Sequence, residues 1–183
     1  MVYTVLFIQS AAKVQEKLTD TRIDDWLERI VFHGKWWLLL ALVLFSMTFW
    51  WKTVDKRRLS EMVLYVSLII IFTLVLDEIG EEFTLWDYPY DLIPLFPPMS
   101  SIDIACLPLI YSLIYQRFGA WKGFIAATVL MSGTFCFILE PLFIRIGVYQ
   151  ILSWKSYYGF PIYIFMAIIC KLAVKKIYAK SGA

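Results

Sequence analysis

Six carboxylates lie at the ends of apolar stretches, and their type and spacing suit them to bind a cation or a proton. They are Asp77, Glu78, Glu81, Glu82, Asp103 and Glu140. Like charges three or four residues apart on a helix repel each other, which favours protonation or a bound cation. Ligand sets made only of oxygen atoms suit hard cations such as Ca²⁺, Mg²⁺ or Mn²⁺. We therefore treat the six as candidate ligand- or cation-binding residues, and their pattern does not assign a metal.

Aromatic side chains accompany these acids. The stretch 76–108 contains seven carboxylates and five prolines and has no Lys, Arg or His. A candidate aromatic vestibule is formed by Trp86, Tyr88, Tyr149 and Trp154. Arg145 follows Glu140 by about one helical turn and is the candidate counter-charge. The pattern predicts an acidic, aromatic segment at one end of a scaffold.

Three interpretations of the carboxylates are open. Ionisable groups at membrane depth usually face a bundle interior or a wet cavity, which favours a cation or proton site. The acids could instead form a solvated rim, neutralised by Arg145 and Lys155. A third interpretation is recognition of a basic partner.

The elements that must position these residues are long apolar runs. The chain has 183 residues, is 61% hydrophobic and has a mean hydropathy of +0.70. A membrane-spanning helix needs roughly 17–25 mainly apolar residues. Five candidates meet or approach this length: 36–51, 62–79, 101–118, 121–140 and 158–174. We predict an all-α polytopic bundle over 36–183, with about five transmembrane helices. A four-span alternative makes 36–51 re-entrant or interfacial.

The N-terminal segment 1–35 is predicted to be amphipathic and interfacial. Apolar residues recur at helical spacing over 13–33, with Asp20 or Thr21 as a possible N-cap. This helix either lies on the bundle or the lipid headgroups, or docks a protein partner.

Basic residues alternate between loops, and this predicts the topology. Lys and Arg concentrate in 52–58, in 117–122 and near the C-terminus, whereas 80–100 has none and 141–157 has two. By the positive-inside rule the first three segments are cytoplasmic and the last two are outside. We expect a multi-pass protein of the cell membrane, with the acidic segment on its outer face.

Several function classes lack support in the sequence. Serine-hydrolase, zinc-protease, phosphate-loop and dinucleotide motifs are absent, and no cofactor is indicated. A single histidine, His33, cannot supply a zinc site. The basic residues are spread as topology requires, so nucleic-acid binding is not indicated. No catalytic residue is assigned, and we expect a protein that is not an enzyme.

The second half of the chain carries an ordered set of motifs: Trp86-x-Tyr88-Pro89, Pro97-Pro98, Asp103 with Pro108, Tyr115-Gln116, Glu140, Gly147-x-Tyr149, Trp154 and Pro161. On these motifs, over about 86–161, the chain resembles a functionally uncharacterised family of small multi-pass membrane proteins from spore-forming Firmicutes. The resemblance implies a helical membrane fold in a Gram-positive membrane and transfers no catalytic residue.

Two functions are therefore expected. The first is a non-enzymatic membrane protein whose outer vestibule binds a ligand or partner, within a larger membrane assembly. The alternative is a small cation- or proton-coupled transporter or channel that uses the carboxylates at the outer helix ends.

Overall fold

The computed structural model describes residues 2–94 and 102–181, with side chains for 12–94, 102 and 104–180. The described chain is a bundle of α-helices, as predicted. The helices are α1 (Val2–Asp25), α2 (Gly34–Thr53), α3 (Leu59–Glu82), α4 (Leu107–Arg117), α5 (Trp121–Thr134), α6 (Glu140–Ile146) and α7 (Ser156–Ser181). Two short strands, β1 (Trp86–Asp87) and β2 (Gln150–Ile151), pair antiparallel between the loops, with Trp86 opposite Ile151. Sequence analysis did not predict this pairing.

Four helical stretches of the described chain are long and apolar enough to cross a membrane. They are Gly34–Thr53, Lys56–Glu82, Trp121–Ile146 and Ser156–Lys180. Helices suit this environment because lipid offers no partner for backbone N–H and C=O groups, which a helix satisfies internally. Four of the five predicted spans fall within these stretches, and the composition of the helices supports a membrane protein.

The remaining predicted span, 101–118, corresponds to a shorter and more enclosed helix. A π-helical segment, Ile102–Cys106, leads directly into α4. Leu107 and Tyr111 of α4 are fully buried, as expected for the central element of a bundle. Helix α2 packs on it through Trp50, whose Nε1 donates to Ser112 Oγ over 2.7 Å.

The helix after α5 continues past Glu140, which sequence analysis had placed at the end of the fourth span. A π-helical segment, Phe135–Leu139, joins α5 to α6, and the helical path ends only at Ile146. Pro141 has no N–H, and its ring crowds the carbonyl of the preceding turn. A widened π turn accommodates that crowding, as π-bulges do elsewhere. Glu140 therefore lies inside a helical path and is buried.

The N-terminal helix is longer than predicted. Helix α1 starts at Val2, so Asp20 and Thr21 lie inside it and neither is an N-cap. The Thr21 hydroxyl instead donates to the Lys17 carbonyl one turn earlier. A π turn, Trp26–Ile30, ends α1, and Phe32, with φ of +61°, redirects the chain into α2.

The long helices run between two opposite ends of the bundle. We define the basic end by the 53–61 and 117–121 connections and by the C-terminal part of α7. There the Gln116 side chain accepts a hydrogen bond from Asp55 N and donates to Thr53 O, and Tyr178 donates to Ser60. The opposite, acidic end carries the 83–94 and 147–155 loops. Contacts of Trp26 and Trp36 with the 83–94 loop place the start of α2 at this acidic end.

A buried lysine caps α4 at the basic end. Lys171 of α7 is fully buried, and its Nζ donates to the carbonyls of Phe118 and Gly119. Its ammonium also lies 3.9 Å from the centroid of the Phe124 ring. Cations stabilise helix C-termini because the last carbonyls carry partial negative charge. In the sequence this lysine looks like one more member of the basic C-terminal segment.

Candidate functional site

A pocket at the acidic end is enclosed by α3, the π segment before α4, the α5–α6 path, α7 and both loops. Polar and aromatic residues dominate its lining. The lining residues are Thr73, Leu76, Asp77, Trp86, Tyr88, Ile102, Phe135, Glu140, Phe143, Tyr149, Trp154, Gly159, Ile162 and Tyr163. We call it the carboxylate–aromatic pocket.

Two of the six predicted carboxylates line this pocket. Asp77 is 5% exposed and Glu140 is 7% exposed. They come from different helices, α3 and α6, and the π turn before Pro141 sets the helical phase of Glu140. The Tyr88 hydroxyl donates to Asp77 Oδ1 over 2.9 Å and so fixes one carboxylate. The structure thus brings together two acids that are far apart in the sequence.

All four predicted vestibule aromatics line the same pocket. The rings of Trp86 and Trp154 meet edge to face with centroids 5.1 Å apart. Tyr88 and Tyr149 have centroids 5.4 Å apart. The Trp86 Nε1 atom is buried and has no acceptor among the described residues. The wall therefore contains four aromatic side chains and one buried indole donor.

Gly80 allows Trp86 to occupy this wall. The indole lies directly on the backbone of α3, and a Cβ added at Gly80 would lie 2.0 Å from Trp86 Cζ2. Real Cβ atoms do not approach other carbons this closely, so only glycine fits. The close approach holds the indole between α3 and the second loop.

Backbone hydrogen bonds tie the two loops together over the pocket. The Leu85 carbonyl accepts from the amides of Leu152, Ser153 and Trp154, over 3.0 to 3.2 Å. The Ser153 hydroxyl donates to the Thr84 carbonyl. The positions of Trp86 and Trp154 are therefore set jointly, and neither loop holds its tryptophan independently.

The interior of the pocket is small and is lined by two carboxyl groups. The space that the centres of water molecules can occupy is about 60 Å³. A cavity needs roughly 10–15 Å³ to hold one water, so this is room for a few water-sized groups. With the open mouth included, the empty volume is about 680 Å³. The described lining includes two carboxylates and no Lys, Arg or His.

The other predicted carboxylates lie outside this lining. Glu78 is half-buried on α3 and Glu82 is exposed. Glu81 faces a second pocket, beneath the N-terminal segment. The backbone of Asp103 lies in the π segment Ile102–Cys106, and its side chain lies outside the described residues. Helical phase turns Glu78 and Glu82 away from Asp77, whereas Glu81 lies one turn beyond Asp77 on nearly the same face and lines the second pocket.

The predicted counter-charge does not reach the pocket. Arg145 is exposed on α6 and is not part of the described lining. Ion pairs within the described side chains join Arg29 to Asp25 and Arg58 to Glu61. Because α6 continues past Glu140, Arg145 lies about one turn further on and on another face.

A metal cluster is not formed by the side chains that the structure describes. Within 12–94, 102 and 104–180, no three His, Cys, Asp or Glu side chains come together as a metal site would require. The three cysteines, Cys106, Cys136 and Cys170, are buried free thiols. The aromatic side chains of its wall, more than the number of its carboxylates, therefore distinguish the pocket.

The N-terminal segment holds the first loop at the acidic end. Trp26 Nε1 donates to the Asp91 carbonyl and Trp36 Nε1 donates to the Leu92 carbonyl, over 3.0 and 3.1 Å. The Lys35 ammonium lies 4.1 Å from the Tyr90 ring centroid. The side chains that make these contacts to the 88–92 segment are Trp26, Lys35 and Trp36. We call them, together with Arg22 and the 88–92 segment, the N-terminal clamp.

The clamp contains a carboxyl group with a shifted pKa. Burial and the neighbouring Asp87 raise the pKa of Asp91 to about 7, and Arg22 opposes this shift. Asp25 and Glu81 line the same second pocket. Tyr88 lines both pockets, so the clamp is physically connected to the carboxylate–aromatic pocket.

Sequence reasoning missed several pocket residues. Apolar or aromatic positions inside predicted spans carry no separate signal for a site, which is why Phe135, Phe143 and Tyr163 were not singled out. Gly159 also lines the pocket. A Cβ added at this glycine would lie 3.6 Å from Glu140 Oε1 and 3.4 Å from Cys136 Sγ. An atom added there points into the pocket.

The comparisons with known proteins return nothing: no family model, no curated protein and no solved structure matches the chain. The resemblance to the spore-former membrane family stays a prediction.

Proposed function

We propose that this chain is an integral membrane protein that binds a small ligand in the carboxylate–aromatic pocket. The observation that carries the proposal is the convergence of two buried carboxylates and several aromatic rings on one open cavity. A largely apolar cavity with a few convergent polar groups is the usual form of a small-molecule site. We assign no reaction, because the described lining offers no nucleophile paired with a general base.

The ligand enters from outside the cell in this proposal. The 83–94 and 147–155 loops of the acidic end carry one lysine, Lys155, and the N-terminal segment 1–35 at the same end has five basic and five acidic residues. Lysines and arginines accumulate instead at the basic end, as they do on the cytoplasmic side of membrane proteins. The protein is then a binding component of a membrane assembly. The N-terminal segment, at the same end as the pocket, is the part available to a protein partner.

The transporter alternative requires a further conformation. Between the pocket and the basic end, the core is filled by large side chains. Tyr65, Tyr111 and Phe124 are completely buried, and Tyr65 stacks on Tyr115 with centroids 4.4 Å apart. A ligand released at the basic end would have to displace this packing. The binding function needs no such rearrangement, and we therefore favour it.

The proposal is tested with three probes of matched shape and different charge. These are choline, its neutral isostere 3,3-dimethylbutan-1-ol, and the anion 3,3-dimethylbutanoate. The thermal stability of the detergent-solubilised protein is measured with each probe for wild type, Gly159→Leu and Gly119→Leu. Gly159→Leu fills the pocket, whereas Gly119 is at the basic end and has open space around an added Cβ.

We expect at least one probe to stabilise wild type and Gly119→Leu but not Gly159→Leu. A ligand at about 100 times its Kd adds about 2.7 kcal/mol to the free energy of unfolding, which is readily measured. The smaller change Gly159→Ala, whose Cβ makes ordinary contacts, should give an intermediate effect and keeps the test valid if the leucine variant misfolds. Stabilisation that persists in both Gly159 variants, or no stabilisation by any probe, would contradict the proposal.

A further inference from the structure

We infer that the pocket recognises an organic ammonium group, held by the aromatic wall and neutralised by Asp77 and Glu140. This inference rests on the proposed function and adds the chemical class of the ligand. It differs from a site for a hard metal ion, which would use oxygen ligands with little contribution from aromatic rings.

The first argument is the aromatic wall. Trp86 and Trp154 meet edge to face, and Tyr88 and Tyr149 pack beside them. The face of an aromatic ring is electron-rich and attracts a cation that lies within about 6 Å of the ring centroid, and tryptophan is the best such ring. Cages of this composition suit alkylated ammonium ions, whose methyl groups also gain apolar contact. An anion would face the same ring electrons and be repelled.

The second argument is charge. Two carboxylates, 5% and 7% exposed, line one cavity that has no basic residue in its described lining. Two like charges in a region of low dielectric repel each other, and a cation between them is attracted to both. Asp77 is already oriented by the Tyr88 hydroxyl. The lining therefore combines two acidic groups with the aromatic rings around one cavity.

The third argument is size. The enclosed space of about 60 Å³ takes only a small group. The pocket is open, so the outer part of an ammonium head and the rest of a larger ligand would lie in its mouth. A soluble choline-like molecule and a lipid headgroup share this chemistry.

The test compares the affinity of choline with that of 3,3-dimethylbutan-1-ol, in which carbon replaces the charged nitrogen. Affinities are measured by isothermal titration on protein in phosphatidylglycerol bilayer discs. The variants are Asp77→Asn, Glu140→Gln and Trp154→Leu, and the matched control is Glu82→Gln, an exposed acid at the same end. A second series in phosphatidylcholine discs tests whether the lipid headgroup competes.

We expect choline to bind wild type and the control at least about tenfold more tightly than the alcohol, as cation–π and carboxylate attraction together require. Each carboxylate variant should lose about tenfold for choline and little for the alcohol. Trp154→Leu keeps apolar surface and should weaken choline more than the alcohol. Competition by phosphatidylcholine would assign the head group to a lipid, and absence of competition would assign it to a soluble ammonium compound; both results uphold ammonium recognition.

Equal affinities for the charged and neutral isosteres would overturn the inference and leave the proposed ligand pocket intact. If neither probe binds, and if Gly159→Leu and Gly159→Ala also leave the stabilisation by every probe unchanged, the proposed function fails as well. Equal loss in Glu82→Gln and Asp77→Asn would show that the effect comes from surface charge and not from the pocket.

Discussion

Adding one methyl group at Gly80 should dismantle the pocket wall. In Gly80→Ala the new Cβ would lie 2.0 Å from Trp86 Cζ2 and 2.2 Å from Cε2. Carbon atoms pack at about 3.5–4.0 Å, so the indole has to retreat by roughly 1.5 Å or more. It cannot do so freely, because β1 is paired with β2 and the Trp154 ring lies behind it.

The expected cost follows from two opposing terms. Overpacking of this kind costs about 1–3 kcal/mol. Replacing glycine by alanine inside a helix stabilises it by about 1 kcal/mol. We therefore expect a net loss of about 0–2 kcal/mol in the free energy of unfolding. Ligand binding should be lost more completely than stability, because the displaced ring is part of the pocket.

The assay is denaturant unfolding in detergent together with choline titration, for Gly80→Ala and for the control Gly119→Ala. An alanine Cβ at Gly119 meets nothing within 4 Å. Adding Trp86→Leu to Gly80→Ala should restore part of the stability, since the two changes share one contact and cannot be additive. If Gly80→Ala is as stable as the control and binds choline equally well, the placement of Trp86 on α3 is wrong.

Three further predictions concern the elements around the pocket. Asp91→Asn should flatten the pH dependence of the stability of the clamp. In wild type the pKa of Asp91 is raised from its ordinary value near 3.8 to about 7, so the clamp loses stability as the pH rises through that range. Amide exchange of the 88–92 segment measures this loss. A pH profile identical to wild type in the variant would refute this. Tyr88→Phe removes the hydrogen bond to Asp77 and should cost about 1.5–3 kcal/mol in denaturant unfolding, as bonds to charged groups do. Trp50→Phe removes a buried donor between α2 and α4 and should cost about 1–3 kcal/mol, whereas Trp51→Phe, on an exposed ring, should cost much less; equal losses would contradict the packing of α2.

The helical framework was predictable because lipid-facing helices have a strong compositional signal. Runs of apolar residues located the long helices, and the orientation predicted from lysine and arginine stays a prediction. A helix was also expected over 101–118, but α4 is shorter than that and is not one of the four stretches long and apolar enough to cross a membrane. Helix boundaries were less certain: Pro141 looked like the end of a span, whereas a π turn carries the helix past it.

The membership of the pocket could be predicted only in part. Trp86, Tyr88, Tyr149 and Trp154 were expected together because each follows an acidic helix end, and they do line one cavity. Which acids join them depends on helical phase, which spacing within a cluster such as 77–82 does not resolve. The role of Lys171 depends on a contact with a distant segment, and the role of Gly80 depends on how the following loop folds Trp86 back onto α3. In the sequence, Gly80 looks like any glycine in a helix, and Lys171 looks like one of the lysines expected at the basic end.

The measurement that tests the central claim most directly is the location of an ammonium analogue in the protein itself. Tetramethylarsonium has the shape and charge of tetramethylammonium, and its arsenic atom gives an anomalous X-ray signal. A crystal structure should show one arsenic peak between Asp77 and Glu140, within about 6 Å of the Trp86 or Trp154 ring centroid. The same experiment on Gly159→Leu should show no peak there. An arsenic peak only at other acidic surfaces, such as the N-terminal clamp, would contradict the account.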